Sequence, residues 1–266
     1  MTLFSPTALS QSHILITGAT RGIGLETAKA CVKAGAAITV TGRNKELLQQ
    51  LKEECESLTE DAVVFAFAAN INEADEREQL IKQAEQTIGP ITGLVNSAGV
   101  IANGTLEDLT EEKLRNVMEL NYFSTVLLTQ SVYKQMRKQP SGAIVNVSSL
   151  AGLRGAYANT AYSASKFALT AFTQSFAYEA IQSNIRVNAV CPGYVDTDMG
   201  RQAIEAKGKR EGKTYEEERL EAESKLPSGR ITQPEEVANS IVFLLSDAAE
   251  NIIGESMKIS AGALMR

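Results

Sequence analysis

The sequence predicts one α/β domain, a parallel sheet with helices packed on both of its faces. Two observations carry this. Short apolar runs bounded by glycine or polar residues alternate along the chain with longer stretches whose apolar residues recur at helical spacing. No low-complexity linker or internal repeat divides the chain, and 266 residues with 44% hydrophobic content suffice for one sizeable core. A run that is apolar from end to end, such as HILIT at 13–17, belongs in a sheet buried on both sides.

The elements follow in order. Residues 13–17 form a strand stopped by Gly18, and 22–34 a helix with Ile23, Ala28, Ala30 and Val32 on spacing and Gly35 beyond its end. Residues 36–41 are the second strand, followed by a polar-faced helix over 44–58 with Asn44 as its N-cap. Strands at 62–68 and 92–95 flank a charged helix at 73–88. Strands at 143–147 and 186–190 are separated by a long helix over 160–182. A helix over 234–246, with Pro234 at its start, and a short strand at 256–259 complete the series. The stretch 201–230 is different, with eight basic and seven acidic side chains and few apolar ones. It reads as a charged helical insertion, open to two interpretations: a substrate lid or a solvated surface excursion.

Charge and rare residues exclude several functions. The balance of 26 Lys+Arg against 32 Asp+Glu gives −6, which argues against nucleic acid or an anionic membrane as the main partner. No apolar run approaches the roughly 18–20 residues that span a bilayer. Residues 1–12 lack the features of a signal peptide, so a cytoplasmic protein is expected. Three cysteines at non-motif spacings and one histidine leave no expected metal site. His13 reads as a strand-entry residue rather than a catalytic base, so acid–base work falls to Tyr, Lys, Asp or Glu.

A phosphate-binding turn follows the first strand: Gly18-Ala19-Thr20-Arg21-Gly22-Ile23-Gly24 leads directly into a helix. Glycines there allow a tight turn and let backbone N–H groups approach a pyrophosphate at the helix N-terminus. The spacing is G-x-x-x-G-x-G rather than G-x-G-x-x-G. About twenty residues further on, where a carboxylate would hold the ribose 2′-hydroxyl of NAD, the chain has Arg43 and Asn44. Arg43, helped by Arg21, suits a 2′-phosphate, so NADP(H) is the expected cofactor; the alternative is that Arg43 sits in solvent.

Tyr162-Ser163-Ala164-Ser165-Lys166 supplies a catalytic pair. Tyr162 and Lys166 are four apart on a helix and share a face. A phenol titrates at about 10, and a neighbouring ammonium is expected to lower that value. With the glycine turn, this segment resembles the short-chain dehydrogenase/reductase family over essentially the whole chain. Asn96-Ser97-Ala98-Gly99, Asn121, Val147-Ser148-Ser149, and Pro192-Gly193 followed by Thr197 match in order.

The resemblance implies a Rossmann-type doubly wound seven-stranded sheet in a single domain over 1–266, with 199–230 as the substrate lid. It implies that Tyr162 protonates a carbonyl oxygen, Lys166 tunes it and binds the nicotinamide ribose, Ser149 binds the substrate oxygen, and Asn121 holds a relay water. Cofactor contacts are carried over to Asn70, Ile71, Asn96, Ala98, Gly99, Pro192, Gly193, Val195 and Thr197, besides Tyr162, Lys166 and the turn. Three positions depart from the family pattern. Ser97 replaces an asparagine, Asn70 an aspartate that meets the adenine, and Ser260-Ala261-Gly262 the usual Asp-Gly-Gly.

The implied activity is NADPH-dependent reduction of a ketone, in the style of 3-oxoacyl-carrier-protein reductases. An NADP(H)-sensing protein without turnover and an NAD-dependent alcohol dehydrogenase are the alternatives. Substrate walls are expected from 151–157, Tyr194 and 199–226, with Arg154 and the basic residues of the insertion either meeting an anionic substrate or lying at the surface. The family further implies a homotetramer packed through 111–138 and 160–182.

Overall fold

The computed structural model describes residues 3–265. The first half runs β1 (His13–Thr17), α1 (Gly22–Lys33), β2 (Ala37–Gly42), α2 (Lys45–Glu56), β3 (Val64–Ala68), α3 (Ala74–Thr87) and β4 (Gly93–Asn96). Next come α4 (Glu111–Met118), a π-helical turn over Glu119–Ser124, α5 (Thr125–Met136), β5 (Gly142–Val147) and a 3-10 turn over Leu150–Gly152. The chain continues through α6 (Thr160–Ala180), β6 (Ile185–Pro192), α7 (Asp198–Glu211), α8 (Tyr215–Ser224), α9 (Pro234–Leu245) and β7 (Ser256–Ile259).

The seven strands pair in the order β3-β2-β1-β4-β5-β6-β7, every pair parallel. Alternation along β1 divides the core into two layers. Ile14 and Ile16 face the side covered by α1, α2 and α9, where Val32, Leu51 and Ile241 meet them in one buried cluster. Leu15 faces the other side with Leu80 of α3, Leu128 and Met136 of α5 and Phe176 of α6. Strand order reverses between β1 and β4, and a doubly wound sheet opens a crevice at the carboxyl ends of such a pair.

Capping explains several element limits. Asn44 Oδ1 accepts from Leu47 N at 2.9 Å and starts α2, as the sequence predicts. Helix α6 ends at Ala180 because residues 181–183 tighten into a 3-10 turn, closed by Asn184 in the left-handed region. Strand β6 runs on to Pro192 because β7 pairs with its last residues, Cys191 against Lys258 and Pro192 against Ile259. Arg186 donates to the carbonyl oxygens of Leu244, Leu245 and Ser246, which closes the end of α9. His13 is indeed structural: its ring bonds Gly89 O at 2.7 Å and Thr39 Oγ1 at 2.8 Å, and burial lowers its pKa.

The charged insertion is a helix pair, α7 and α8, that buries Ile204, Gly208, Glu218 and Ala222. Thr214 and Glu217 form a reciprocal capping box at the start of α8. Charge dominates its composition because only the seam between the two helices is dry.

Beneath the carboxyl ends of β4 and β5 lies a buried polar ladder. Asn96 and Asn146 are paired in register, and Asn96 Nδ2 donates to Asn146 Oδ1 at 2.8 Å and to Thr129 Oγ1 of α5 at 2.9 Å. Asn146 Nδ2 passes the chain on to Thr173 Oγ1 of α6 at 2.8 Å. The ladder locks two strands to the helices on one face. Replacing Asn146 by leucine leaves one N–H of the Asn96 amide without its acceptor and removes the donor to Thr173. Leaving a buried polar group unpaired costs about 1–3 kcal/mol. Asn146→Leu is therefore expected to lower the urea midpoint by the equivalent of at least about 2 kcal/mol with an unchanged slope; a wild-type midpoint would show that the ladder contributes nothing.

Candidate active site

The crevice begins at the turn after β1. Gly18 has φ +63°, and a Cβ there would fall 2.7 Å from Ala98 Cα. The turn after β1 and the loop after β4 therefore touch backbone to backbone. Thr17 Oγ1 fastens them by accepting from the N–H groups of Ser97 and Ala98, each at 3.1 Å. Gly22, at φ +56°, leaves 3.1 Å between a built Cβ and the Thr197 methyl. Arg21 is the extended N-cap of α1, and neither a side-chain cap nor a first-turn acid occupies that helix end. The first-turn N–H groups thus face the cleft ready for an anion.

From this turn a cleft of about 590 Å³ runs across the sheet. Gly18, Thr20, Arg21, Gly22, Ile23, Arg43, Asn70 and Ile71 line it toward β2 and β3. Ala98, Gly99, Ser149, Tyr162, Lys166, Pro192, Gly193, Val195 and Thr197 line its centre and the β6 side. Arg154, Tyr194, Met199 and Leu226 extend it toward helices α7 and α8. Its wall carries six cations (Arg21, Arg43, Arg154, Lys166, Lys207 and Lys225) against a single carboxylate, Asp198. An uncapped helix end, a glycine turn with no room for side chains and this charge excess fit an anionic dinucleotide.

Four expected site residues lie off the wall, each for a packing reason. A Cβ on Gly24 would sit 2.4 Å from Gly18 O, so Gly24 is the seat of the turn rather than a ligand contact. Asn44 turns its side chain back to cap α2. Asn96 is buried in the ladder under the cleft floor. Asn121, in the π turn, has both ends of its amide committed: Oδ1 accepts from Val100 N at 2.8 Å, and Nδ2 donates to Val100 O and Ser165 Oγ. Tyr157, expected on the substrate wall, is 82% exposed and does not line the cleft. Asn70 Oδ1, expected to accept from an adenine amino group, already takes the N–H of Asn72 at 3.3 Å, one of its two lone pairs.

At the centre, α6 presents Tyr162 and Lys166 one turn apart, both buried. Tyr162 and Ser149 share the cleft wall, and the Ser149 side chain acts on the Tyr162 phenol to lower its pKa. Ser149 Oγ accepts from Ala151 N at 3.1 Å. Both serines line the cleft, but the neighbouring Ser148 is buried with its hydroxyl bonded to Lys166 O and Thr170 Oγ1, whereas Ser149 is only half-buried. Lys166 Nζ donates to Val147 O at 2.8 Å and stands 5.8 Å from the centre of the Tyr162 ring.

The electrostatics correct one expectation. The ammonium was expected to lower the phenol, but burial pushes Tyr162 up to about 12, opposed only by the Ser149 side chain. Burial also draws Lys166 down to about 8. The lysine points at a strand carbonyl instead of the phenolic oxygen, so desolvation wins. At neutral pH the phenol is an acid with its proton in place.

Several contributors escape a reading of motifs. Thr17 clamps the two loops, and Ser165 links Asn121 to Tyr162 O, to which it donates at 2.8 Å. Cys191, at the end of β6, is buried beside Ser148 and Ser149, and burial raises its thiol. Only the strand-end position of Thr17 hinted at such a role. Beyond β6, Asp196 pairs with Arg201 and Arg219, each at 3.0 Å, which ties both α7 and α8 to the segment before Thr197.

Comparison with known proteins places this geometry. The family model described as short chain dehydrogenase matches residues 12–208. The chain is 36% identical over 251 residues to the 3-oxoacyl-[acyl-carrier-protein] reductase FabG of Thermotoga maritima, covering 94% of this chain and 97% of that one. It is 32% identical to a 3alpha-hydroxysteroid dehydrogenase of Mediterraneibacter gnavus, over 96% of this chain and 98% of the relative. Among solved structures, an actinorhodin polyketide ketoreductase variant with NADPH superposes with a TM-score of 0.92 at 31% identity, covering 96% of this chain and 98% of that one. With its glycine turn, its Ser149–Tyr162–Lys166 cluster and relatives that match nearly end to end, this chain belongs to the short-chain dehydrogenase family of NAD(P)-dependent oxidoreductases.

Proposed function

We propose that this protein is an NADPH-dependent ketoreductase that converts a ketone to a secondary alcohol, reversibly, with Tyr162 as the acid. The observation that supports this most is the placement of buried Tyr162, Ser149 and Lys166 together on the wall of one cleft with the glycine turn. A bound nicotinamide contributes the hydride equivalent that no side chain can supply.

The chain's own residues do the rest. Ser149 and Tyr162 offer two hydroxyls to one carbonyl oxygen, and Tyr162 gives up its proton as negative charge develops there. The high phenol value keeps that proton in place at neutral pH, which favours the reductive direction. The reverse direction needs phenolate and should gain as pH rises. Lys166, near 8, is poised to exchange protons with water close to neutral pH and to bind the nicotinamide ribose. Asn121 supports this cluster by joining Val100 to Ser165. A relay water toward Lys166 would be held by Asn121, whose Nδ2 is engaged while its Oδ1 keeps one lone pair.

Choice of NADP(H) over NAD(H) rests on Arg21 and Arg43 lining the cleft where β2 ends, with no carboxylate beside them on the wall. The NADPH-bound ketoreductase neighbour supports the same choice. The relatives suggest a 3-oxoacyl thioester as one candidate substrate, with 199–230 acting as its lid. A sensor without turnover is disfavoured because binding alone requires no Ser149–Tyr162 pair. Exposed Phe123 and Leu127 before and in α5, and Phe167 and Tyr178 on α6, give these helices the apolar surface that a homotetramer would cover. No described helix is long and apolar enough to cross a membrane.

Three outcomes test this reading. Tyr162→Phe keeps the ring and removes the donor, so kcat for NADPH-linked ketone reduction should fall by about a thousandfold with far less change in NADPH affinity; retention of a tenth of the activity would reject Tyr162 as the acid. Arg43→Asp should weaken NADPH binding by roughly 10- to 150-fold through the lost charge-assisted bond and bring NADH closer in efficiency. A wild type that already prefers NADH would restore the NAD-dependent alternative. Light scattering should give a mass four times that of the chain, and a monomer would remove the oligomer.

A further inference from the structure

The six cations of the cleft differ in what balances them. Lys166 is engaged with Val147 O. Lys207 is paired with the buried Glu218, and Lys225 with Glu221. The single carboxylate of the wall, Asp198, lies 3.7 Å from Arg201. Three arginines on the wall have no carboxylate partner among the described residues: Arg21, Arg43 and Arg154. The first two flank the phosphate turn and are accounted for by the cofactor. Arg154 is not.

Arg154 stands on the substrate half of the cleft, in the segment between Ser149 and Tyr162. That segment is anchored at both ends. Arg154 N donates to Leu150 O at 3.1 Å, and Gly104 N donates to Ala158 O at 2.9 Å, where Gly104 and Asn159 form a bridge. Beside Arg154, Gly155 faces open space and Ala156 shares the wall. The result is a cation with no carboxylate partner among the described residues, on the same cleft wall as Ser149 and Tyr162, where Lys207 and Lys225 already have partners.

We infer that Arg154 is a specificity-determining anion site, and that the ketone reduced here carries a carboxylate or phosphate group away from its carbonyl. This rests on the ketoreductase reading. A guanidinium offers a planar fork that matches either anion through paired N–H donors. Because Arg154 is exposed in the absence of substrate, its pull is screened by salt. The relevant contrast is therefore between charged and neutral ketones of the same shape.

The experiment compares two matched pairs with NADPH: 4-oxopentanoate with its methyl ester, and 4-oxopentyl phosphate with 5-hydroxypentan-2-one. In Arg154→Gln, the ratio of kcat/KM for the anionic over the neutral member should fall at least about tenfold for one or both pairs. Arg154→Lys should restore part of it, and added salt should shrink the wild-type ratio. The pair that responds identifies carboxylate or phosphate as the recognised group. An unchanged ratio in Arg154→Gln for both pairs overturns the inference while leaving ketone reduction intact. Calorimetric titration of each anionic ketone into the protein with NADP+ separates the two readings. Binding that depends on Arg154 without any turnover in the wild type would reject the reductase and keep the anion site. Binding indifferent to Arg154 would reject the anion site.

Discussion

Everything functional in this fold depends on one close backbone contact. Strands β1 and β4 are neighbours, but their chains leave the sheet in different directions. At that divergence the turn carrying Gly18 presses on Ala98. No side chain fits between them, and the Thr17 hydroxyl holds both N–H groups of the facing loop. The contact fixes the mouth of α1 relative to the loop that leads to Val100, and Val100 in turn is held by Asn121. Asn121 reaches Ser165 on α6, the helix that carries Tyr162 and Lys166. A single chain of short polar contacts thus connects the phosphate turn to the catalytic helix, with the Asn96–Asn146 ladder beneath it as a rigid floor.

Burial, rather than charge pairing, sets the protonation of Tyr162 and Lys166. Both are withdrawn from water, and each is driven toward its neutral form. The two shifts act in concert, holding the phenol protonated while Lys166 titrates near 8. Lys166 is oriented by the Val147 carbonyl at the end of β5, which places the ammonium over the face of the tyrosine ring and away from its hydroxyl. The sheet that forms the cleft also aims the lysine.

Helices α7 and α8 show a different use of charge. They carry many ionic side chains, yet these pair mostly with one another or with Asp196, and buried Glu218 sits against Lys207 at the seam. Exposed pairs of this kind contribute little stability individually. Their effect is to neutralise the pair's own lysines on the cleft wall. Among the described residues, positive charge without a carboxylate partner is left at Arg21, Arg43 and Arg154.

The sequence alone determined the layered fold, because its signals are local. Alternating apolar runs and helical stretches, an N-cap at Asn44 and glycines at a strand-to-helix turn are short-range patterns that backbone geometry reads directly. It also placed Arg43 where β2 ends, since spacing along a strand is fixed by rise per residue. Only the tertiary structure could decide which of the matching residues reach the cleft. Asn96, Gly24 and Asn121 are near the site in sequence, but packing across strands and helices turns them beneath or behind it. The protonation of Tyr162 was likewise beyond the sequence. Two residues four apart share a helix face, but whether the ammonium meets the oxygen or the ring depends on a carbonyl from β5, nineteen positions away along the chain from Lys166. Desolvation belongs to the assembled cleft and to no segment of the chain.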